Sequence, residues 1–250
     1  HPQKHDISME HVDFSYDSKP ILKNVSVTIP DKTTTAIVGP SGSGKTTLCN
    51  LIARFWDVDH GSIRIGDADV REYTLESLME QISMVFQKVY LFADTIENNI
   101  KFGRPYATHE QVVEAARKAC CHEFIEALPD GYNTVIGEGG ATLSGGEKQR
   151  ISIARAILKD SPIIIFDEAT ANVDPENEDK LQKAMEELMR DKTIIMIAHR
   201  LKTVQKADQI LVLDDGAIVQ RGTHAELSGK PGLYRDFLNA RKEAAGWKLS

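Results

Sequence analysis

Residues 34–47 read TTAIVGPSGSGKTT, and no other stretch restricts the fold so strongly. TTAIV (34–38) is a β-branched, apolar run of strand length, and TLCNLIARF (47–55) carries apolar residues at helical spacing. Between them Gly39, Pro40, Ser41, Gly42, Ser43, Gly44, Lys45 and Thr46 fill the pattern G-x-x-x-x-G-K-[ST] at every fixed position. Glycines let the backbone curl until successive N–H groups point at phosphate oxygens. The helix that follows turns the positive end of its dipole toward the same anion. Lys45 is placed to reach the β- and γ-phosphates and the Thr46 hydroxyl to ligate Mg²⁺, with Thr47 beside them among the nucleotide-binding residues. A strand, loop and helix in this order predict an α/β fold that holds a nucleoside triphosphate, without saying what is done with it.

The rest of the chain narrows the choice. Its 250 residues are 41% hydrophobic and 27% charged, ordinary globular composition with enough length for a large core. A net charge of −7 argues against a nucleic-acid surface. No apolar run reaches 18 residues; IIIF (163–166) and IIMIA (194–198) are strand-length, so nothing in the sequence reads as a membrane span. Cys49, Cys120 and Cys121 lack metal spacing and read as free thiols of a reducing compartment. The chain opens at His1 with no leader pattern and reads as an excised piece of a longer protein.

Residues 7–16, 21–29 and 62–70 alternate as strands, with turns at Asp17-Ser18, Pro30-Asp31 and Gly66-Asp67. Helical spacing dominates from about 75 to 160, over 74–82, a single long run 109–128, and 147–158. Strands at 162–170 and 193–199, a helix at 177–191, a hairpin over 209–222 turning at Asp215-Gly216 and a last helix over 231–246 complete the reading.

IIIFDEA (163–169) puts two acids at the carboxyl end of a buried strand, the edge at which ligands of parallel sheets bind. Asp167 is then a Mg²⁺-shell residue, and Glu168 the group that orients or deprotonates an attacking water. LSGGE (143–147) precedes a strongly helical segment and makes a second helix start suited to an anion, with Ser144 as its N-cap. One nucleotide has no evident need for two cradles. The economical explanation is that Ser144, Gly145 and Gly146 serve a nucleotide held by another subunit.

With these motifs in order, the chain resembles the ATP-binding cassette of ABC transporters over roughly residues 7–240. LSGGE followed by QR, about twenty residues before IIIFDEA, is similar to that family's signature. Tyr16 in FSY matches the aromatic that stacks on adenine, and Gln87 in MVFQ the glutamine that touches Mg²⁺ and water. Asp174 in ANVDP matches the D-loop aspartate, and His199 in IAHR the histidine that contacts the γ-phosphate. The resemblance implies a P-loop, RecA-like core with an N-terminal antiparallel β subdomain, over about 7–86 and 160–240. It implies an inserted helical subdomain over 87–159, and a membrane domain outside this chain. It also implies ATP and Mg²⁺ as ligands and a head-to-tail dimer with a second cassette. Glu168, His199, Gln87 and Lys45 would be the catalytic set, and Thr46, Gln87 and Asp167 the metal set. FQKVYLFADTIENNIKFG (86–103) and IVQRGTHAEL (218–227) resemble exporter cassettes, which work at the cytoplasmic face of the membrane. A soluble ABC-type ATPase acting on DNA or ribosomes, a small-substrate kinase and a non-catalytic cassette are the competing readings.

Three positions depart from the family pattern. Glu147 stands where glutamine is usual, and a carboxylate there weakens closure on a phosphate unless the helix dipole offsets it or the side chain faces away. GEGG (137–140) has glycine after the glutamate, and ANVD replaces the more typical SALD.

Overall fold

The computed structural model describes residues 2–86, 88–168 and 175–246. Its strands are β1 (Ile7–Ser15), β2 (Pro20–Ile29), β3 (Thr34–Val38), β4 (His60–Ile65), β5 (Ala68–Asp69), β6 (Ile82–Val85), β7 (Asp94–Thr95), β8 (Val135–Ile136), β9 (Ile163–Asp167), β10 (Thr193–Ile197), β11 (Gln209–Asp214) and β12 (Ala217–Gly222). The helices are α1 (Lys45–Ile52), α2 (Leu75–Gln81), α3 (Ile96–Lys101), α4 (His109–Lys118), α5 (His122–Glu126), α6 (Gly145–Lys159), α7 (Pro175–Met189), α8 (Leu201–Lys206), α9 (His224–Ser228) and α10 (Leu233–Gly246). The α/β class expected from sequence is the class observed.

The chain divides into two units. Residues 2–82, 165–168 and 193–246 form the first, and 83–86, 88–164 and 175–192 form the second.

The first unit holds an antiparallel sheet, β2-β1-β4-β5, and strands in the order β12-β11-β3-β10-β9. Strand β3 lies between β10 and β11 and pairs with both in parallel. Parallel strands covered on both faces read as unbroken apolar runs, and Thr35, Ala36, Ile37 and Val38 are all at most 1% exposed. Around β3 and β11 lies a core that includes Val38, Val204, Ile210, Val212, Leu227 and Tyr234. Each such aliphatic side chain stabilises the fold by about 1.5–3 kcal/mol through burial. Tyr234 is 0% exposed, and its hydroxyl is satisfied by His224 Nδ1 at 2.6 Å. The β11–β12 hairpin turns at Asp215 (φ 47°) and Gly216 (φ 79°), two successive left-handed residues suited to the twist of a tight hairpin.

The second unit is mainly helical, with α4 and α7 packed against α6. Residues 109–128 are not one helix. Helix α4 ends near Ala119, Cys120 takes a left-handed conformation (φ 57°), and α5 starts at His122. A tertiary contact explains the break: the Cys120 carbonyl, turned out of the helical ladder, accepts the Arg150 guanidinium at 2.6 Å. Cys121 is turned fully inward, at 0% exposure.

Candidate functional site

Strand β3 delivers Gly39 to the site, and the loop's shape is fixed by what surrounds it. A side chain at Gly39 would place its Cβ 2.2 Å from the Leu213 carbonyl oxygen, so only glycine fits there. Ser43 N–H donates to the Pro40 carbonyl at 3.2 Å, and the Ser43 carbonyl accepts Gly216 N–H at 3.0 Å. The hairpin tip therefore props the loop from behind. Gly44 has φ 104° and serves as N-cap of α1 without any side-chain cap. The first N–H groups of α1 have no acceptor within the helix, and such a helix start suits an anion. Gly42 has φ 78° and open space within 4 Å of where a Cβ would stand.

The Lys45 ammonium folds back onto the loop, donating to the carbonyl of Gly39 and, at 3.2 Å, to that of Pro40. Burial holds its pKa below the ordinary lysine value, an effect that the negative charge of Asp167 partly offsets. Thr46 is exposed in the first turn of α1, whereas Thr47 is buried. The Ser43 hydroxyl and Asp167 Oδ1 are both buried and, among the described residues, make no hydrogen bond. Orphaned polar atoms of this kind are costly unless a ligand meets them. Among the described residues no cluster of three or more His, Cys, Asp or Glu would by itself hold a metal. The Asp167 carboxylate, whose charge acts on Lys45, and the exposed Thr46 hydroxyl are hard oxygen donors of the kind that suit Mg²⁺, which takes few protein ligands and shares phosphate oxygens.

At the end of β9, Asp167 lies 3.5 Å (Oδ1) from His199 Nε2. Glu168 is 6% exposed, and its carboxylate accepts the N–H groups of His199 and Arg200 at 2.8 and 3.1 Å and the Thr203 hydroxyl at 2.6 Å. On the other side of the loop, the Tyr16 hydroxyl hydrogen-bonds Thr47 Oγ1 at 3.1 Å. Edge-on contacts from Phe14 and Trp56, with centroids 4.9 and 5.5 Å away, fix the Tyr16 ring, which stays 45% exposed.

The first unit therefore brings together Tyr16, the loop Gly39–Thr47, Asp167, Glu168 and His199. Ser144, Gly145 and Gly146 belong to the second unit. Gln87 and Asp174 lie outside the described residues. Sequence reasoning passed over Trp56, Gly216 and Thr203. Only Gly216 left a trace, as half of a hairpin signal, and nothing in its sequence setting links it to the loop.

In the second unit Ser144 is the N-cap of α6, with φ −66° and ψ 161°. Its hydroxyl accepts Glu147 N–H at 3.1 Å, while Glu147 Oε1 accepts Ser144 N–H at 2.9 Å. The unusual carboxylate is thus turned back onto its own helix, where it complements the dipole. Among the described residues the Ser144 hydroxyl is used as an acceptor, which leaves its proton available to donate. A Cβ on Gly145 would meet nothing within 4 Å, so the helix start is open to approach. Gly139, the departure in GEGG, has φ 77°, a conformation that explains the glycine locally.

The ABC transporter family matches residues 22–171. A protein of Vibrio parahaemolyticus named ATP-dependent lipid A-core flippase is 50% identical over 238 residues, covering 92% of this chain and 40% of the relative. Relatives of the same name from Salmonella paratyphi A and Desulfotalea psychrophila are 49% and 50% identical, covering 92% and 95% of this chain and 40% and 42% of their own. The chain thus spans about two fifths of the length of the curated relatives it matches. A solved structure, described as a bacterial Atm1-family ABC exporter with ATP bound, superimposes with a TM-score of 0.89 at 40% identity, over 96% of this chain and 42% of that one. By fold, by motif order and by the match over residues 22–171, the chain belongs to the ABC transporter family.

Proposed function

We propose that this chain binds and hydrolyses MgATP as one half of a head-to-tail pair of cassettes, and that the cycle of pairing and opening drives export by a membrane domain lying outside these 250 residues. The observation that carries the reading is the glycine loop opening α1, together with two buried oxygens, Ser43 Oγ and Asp167 Oδ1, that make no hydrogen bond among the described residues. The loop and Lys45 would hold the phosphates, and Tyr16 would stack on the base. Thr46, Asp167 and Gln87 would hold Mg²⁺, which when bound neutralises phosphate charge. Glu168 would polarise water, and His199, beside Asp167, would sense the γ-phosphate. Ser144, Gly145 and Gly146 would close over the nucleotide of the partner cassette, with Asp174 at the same junction. Losing the γ-phosphate removes charge-assisted contacts on both sides and lets the pair open. The relatives named lipid A-core flippases favour a lipid as cargo, moved from the cytoplasmic face of a membrane.

Glu168→Gln tests the reading. The variant should bind ATP normally, hydrolyse it about a hundredfold more slowly or worse, and accumulate as an ATP-dependent dimer in gel filtration. Hydrolysis at the wild-type rate would remove Glu168 from its role.

A further inference from the structure

The carboxylate assigned to polarising water is already engaged. Glu168 Oε2 accepts two N–H groups, from His199 at 2.8 Å and Arg200 at 3.1 Å, while Oε1 accepts the Thr203 hydroxyl at 2.6 Å. The Arg200 Nε lies 3.8 Å from Oε1. Each carboxylate oxygen offers two lone-pair directions, so both of those on Oε2 are used and Oε1 faces a hydroxyl and a guanidinium. A general base needs a free lone pair aimed at its water at about 2.6–3.2 Å. At 6% exposure, Glu168 is not so placed here.

The three donors converge for a local reason. His199 and Arg200 form the link from β10 into α8, and Thr203 lies in that helix's first turn. Arg200, the N-cap of α8, makes no side-chain capping bond. Glu168 supplies the cap from outside the helix, and the Thr203 hydroxyl adds a third, short hydrogen bond to it. Two tasks therefore compete for one carboxylate: capping α8 and polarising water.

We infer that Glu168 alternates between these tasks, and that Thr203 is the positioning residue that holds it parked on α8 until hydrolysis is due. The inference rests on the reading of Glu168 as the water-polarising group. Release of Glu168 frees the amides of His199 and Arg200 at the same moment, so the start of α8 and the histidine it carries respond together with the carboxylate. The parked arrangement is a brake on turnover.

The test is single-turnover hydrolysis, with the purified chain in excess over MgATP, for wild type, Thr203→Val and Thr203→Ser. Valine keeps the shape and loses the hydroxyl; serine keeps the hydroxyl. Losing one charge-assisted hydrogen bond shifts the parked equilibrium by about tenfold. Thr203→Val should therefore hydrolyse at least about threefold faster, with unchanged nucleotide affinity, and Thr203→Ser should match wild type. A smaller acceleration, a slowing, or an equal acceleration in the serine variant overturns the inference. A merely structural role for Thr203 lowers the melting temperature without raising the rate. Thr203→Ala, which cannot overpack the site, carries the same test should the valine variant not fold. Glu168→Gln separates the two readings. If it hydrolyses ATP like wild type, the role of Glu168 fails; if it is inactive and Thr203→Val is not faster, only the brake fails.

Discussion

Arg155, in the middle of α6, offers a sharp test of how the second unit is held together. Its guanidinium donates to the Asn99 carbonyl at 2.8 Å, the Tyr90 carbonyl at 3.0 Å and Asn99 Oδ1 at 3.2 Å. It also lies 5.4 and 5.8 Å from the ring centres of Phe92 and Phe102. None of these acceptors is a carboxylate, and burial holds the Arg155 pKa below the ordinary arginine value. Among the described residues, the cation is carried by carbonyl dipoles and aromatic faces. Asn99 is 0% exposed and extends the network to the backbone of Phe92 and Thr95. In Arg155→Met, the methionine fills the volume and makes none of these bonds. Two backbone carbonyls lose a charge-assisted partner at roughly 1.5 kcal/mol each, and two cation–π contacts go at about 0.5 kcal/mol each. The sum is on the order of 4 kcal/mol, discounted to about 3 kcal/mol because Arg155 is only partly buried. Arg155→Lys keeps the charge but not the fork, and should lose about half as much. Equilibrium urea unfolding followed by far-ultraviolet circular dichroism measures both. A loss under about 1 kcal/mol in the methionine variant, or a lysine variant as stable as wild type, would refute the reasoning.

Other predictions concern the first unit. Tyr16→Ala should weaken ATP binding by on the order of 1 kcal/mol through lost stacking, and Tyr16→Phe, which loses only the Thr47 hydrogen bond, by less; titration calorimetry reads both. Gly39→Ala drives a methyl to within 2.2 Å of the Leu213 carbonyl, so it should abolish nucleotide binding while circular dichroism stays near native. Asp69 is hydrogen-bonded by Arg71, which holds its carboxyl below the usual range. The stability it contributes is present above the unfolded carboxylate pKa and is lost as pH falls through the lower folded value. Asp69→Asn should therefore be less stable than wild type at pH 7, by under about 2 kcal/mol, and the two should converge in acid melting curves.

What could be read from sequence follows from how local each cause is. Strands β3, β9 and β10 are covered on both faces and so are written as continuous apolar runs. The β11–β12 turn was legible because two successive left-handed residues call for Asp-Gly. The break at Cys120 was not, because its cause is Arg150, thirty positions away, and cysteine is no turn residue. Strand β6 and helix α3 were passed over: ISMV is too short to show a period, and α3 has only six residues. At the site, sequence named the residues of the loop and of the β9 edge, since spacing within a motif is a local property. It did not show that Lys45 folds back on its own loop, that Glu168 caps α8, or that Glu147 closes on Ser144. Those depend on rotamers chosen among several polar partners.

The propping of the loop by Gly216 sets an order of events during synthesis. Strand β3 and the loop precede β10 and β11 in the chain, yet β3 is bounded by both, and the loop leans on residues 213–216. Until about residue 216 has emerged, the chain carries the phosphate-binding motif without its shape. The shape of the loop thereby depends on a hairpin that lies far along the chain and must be made and docked first.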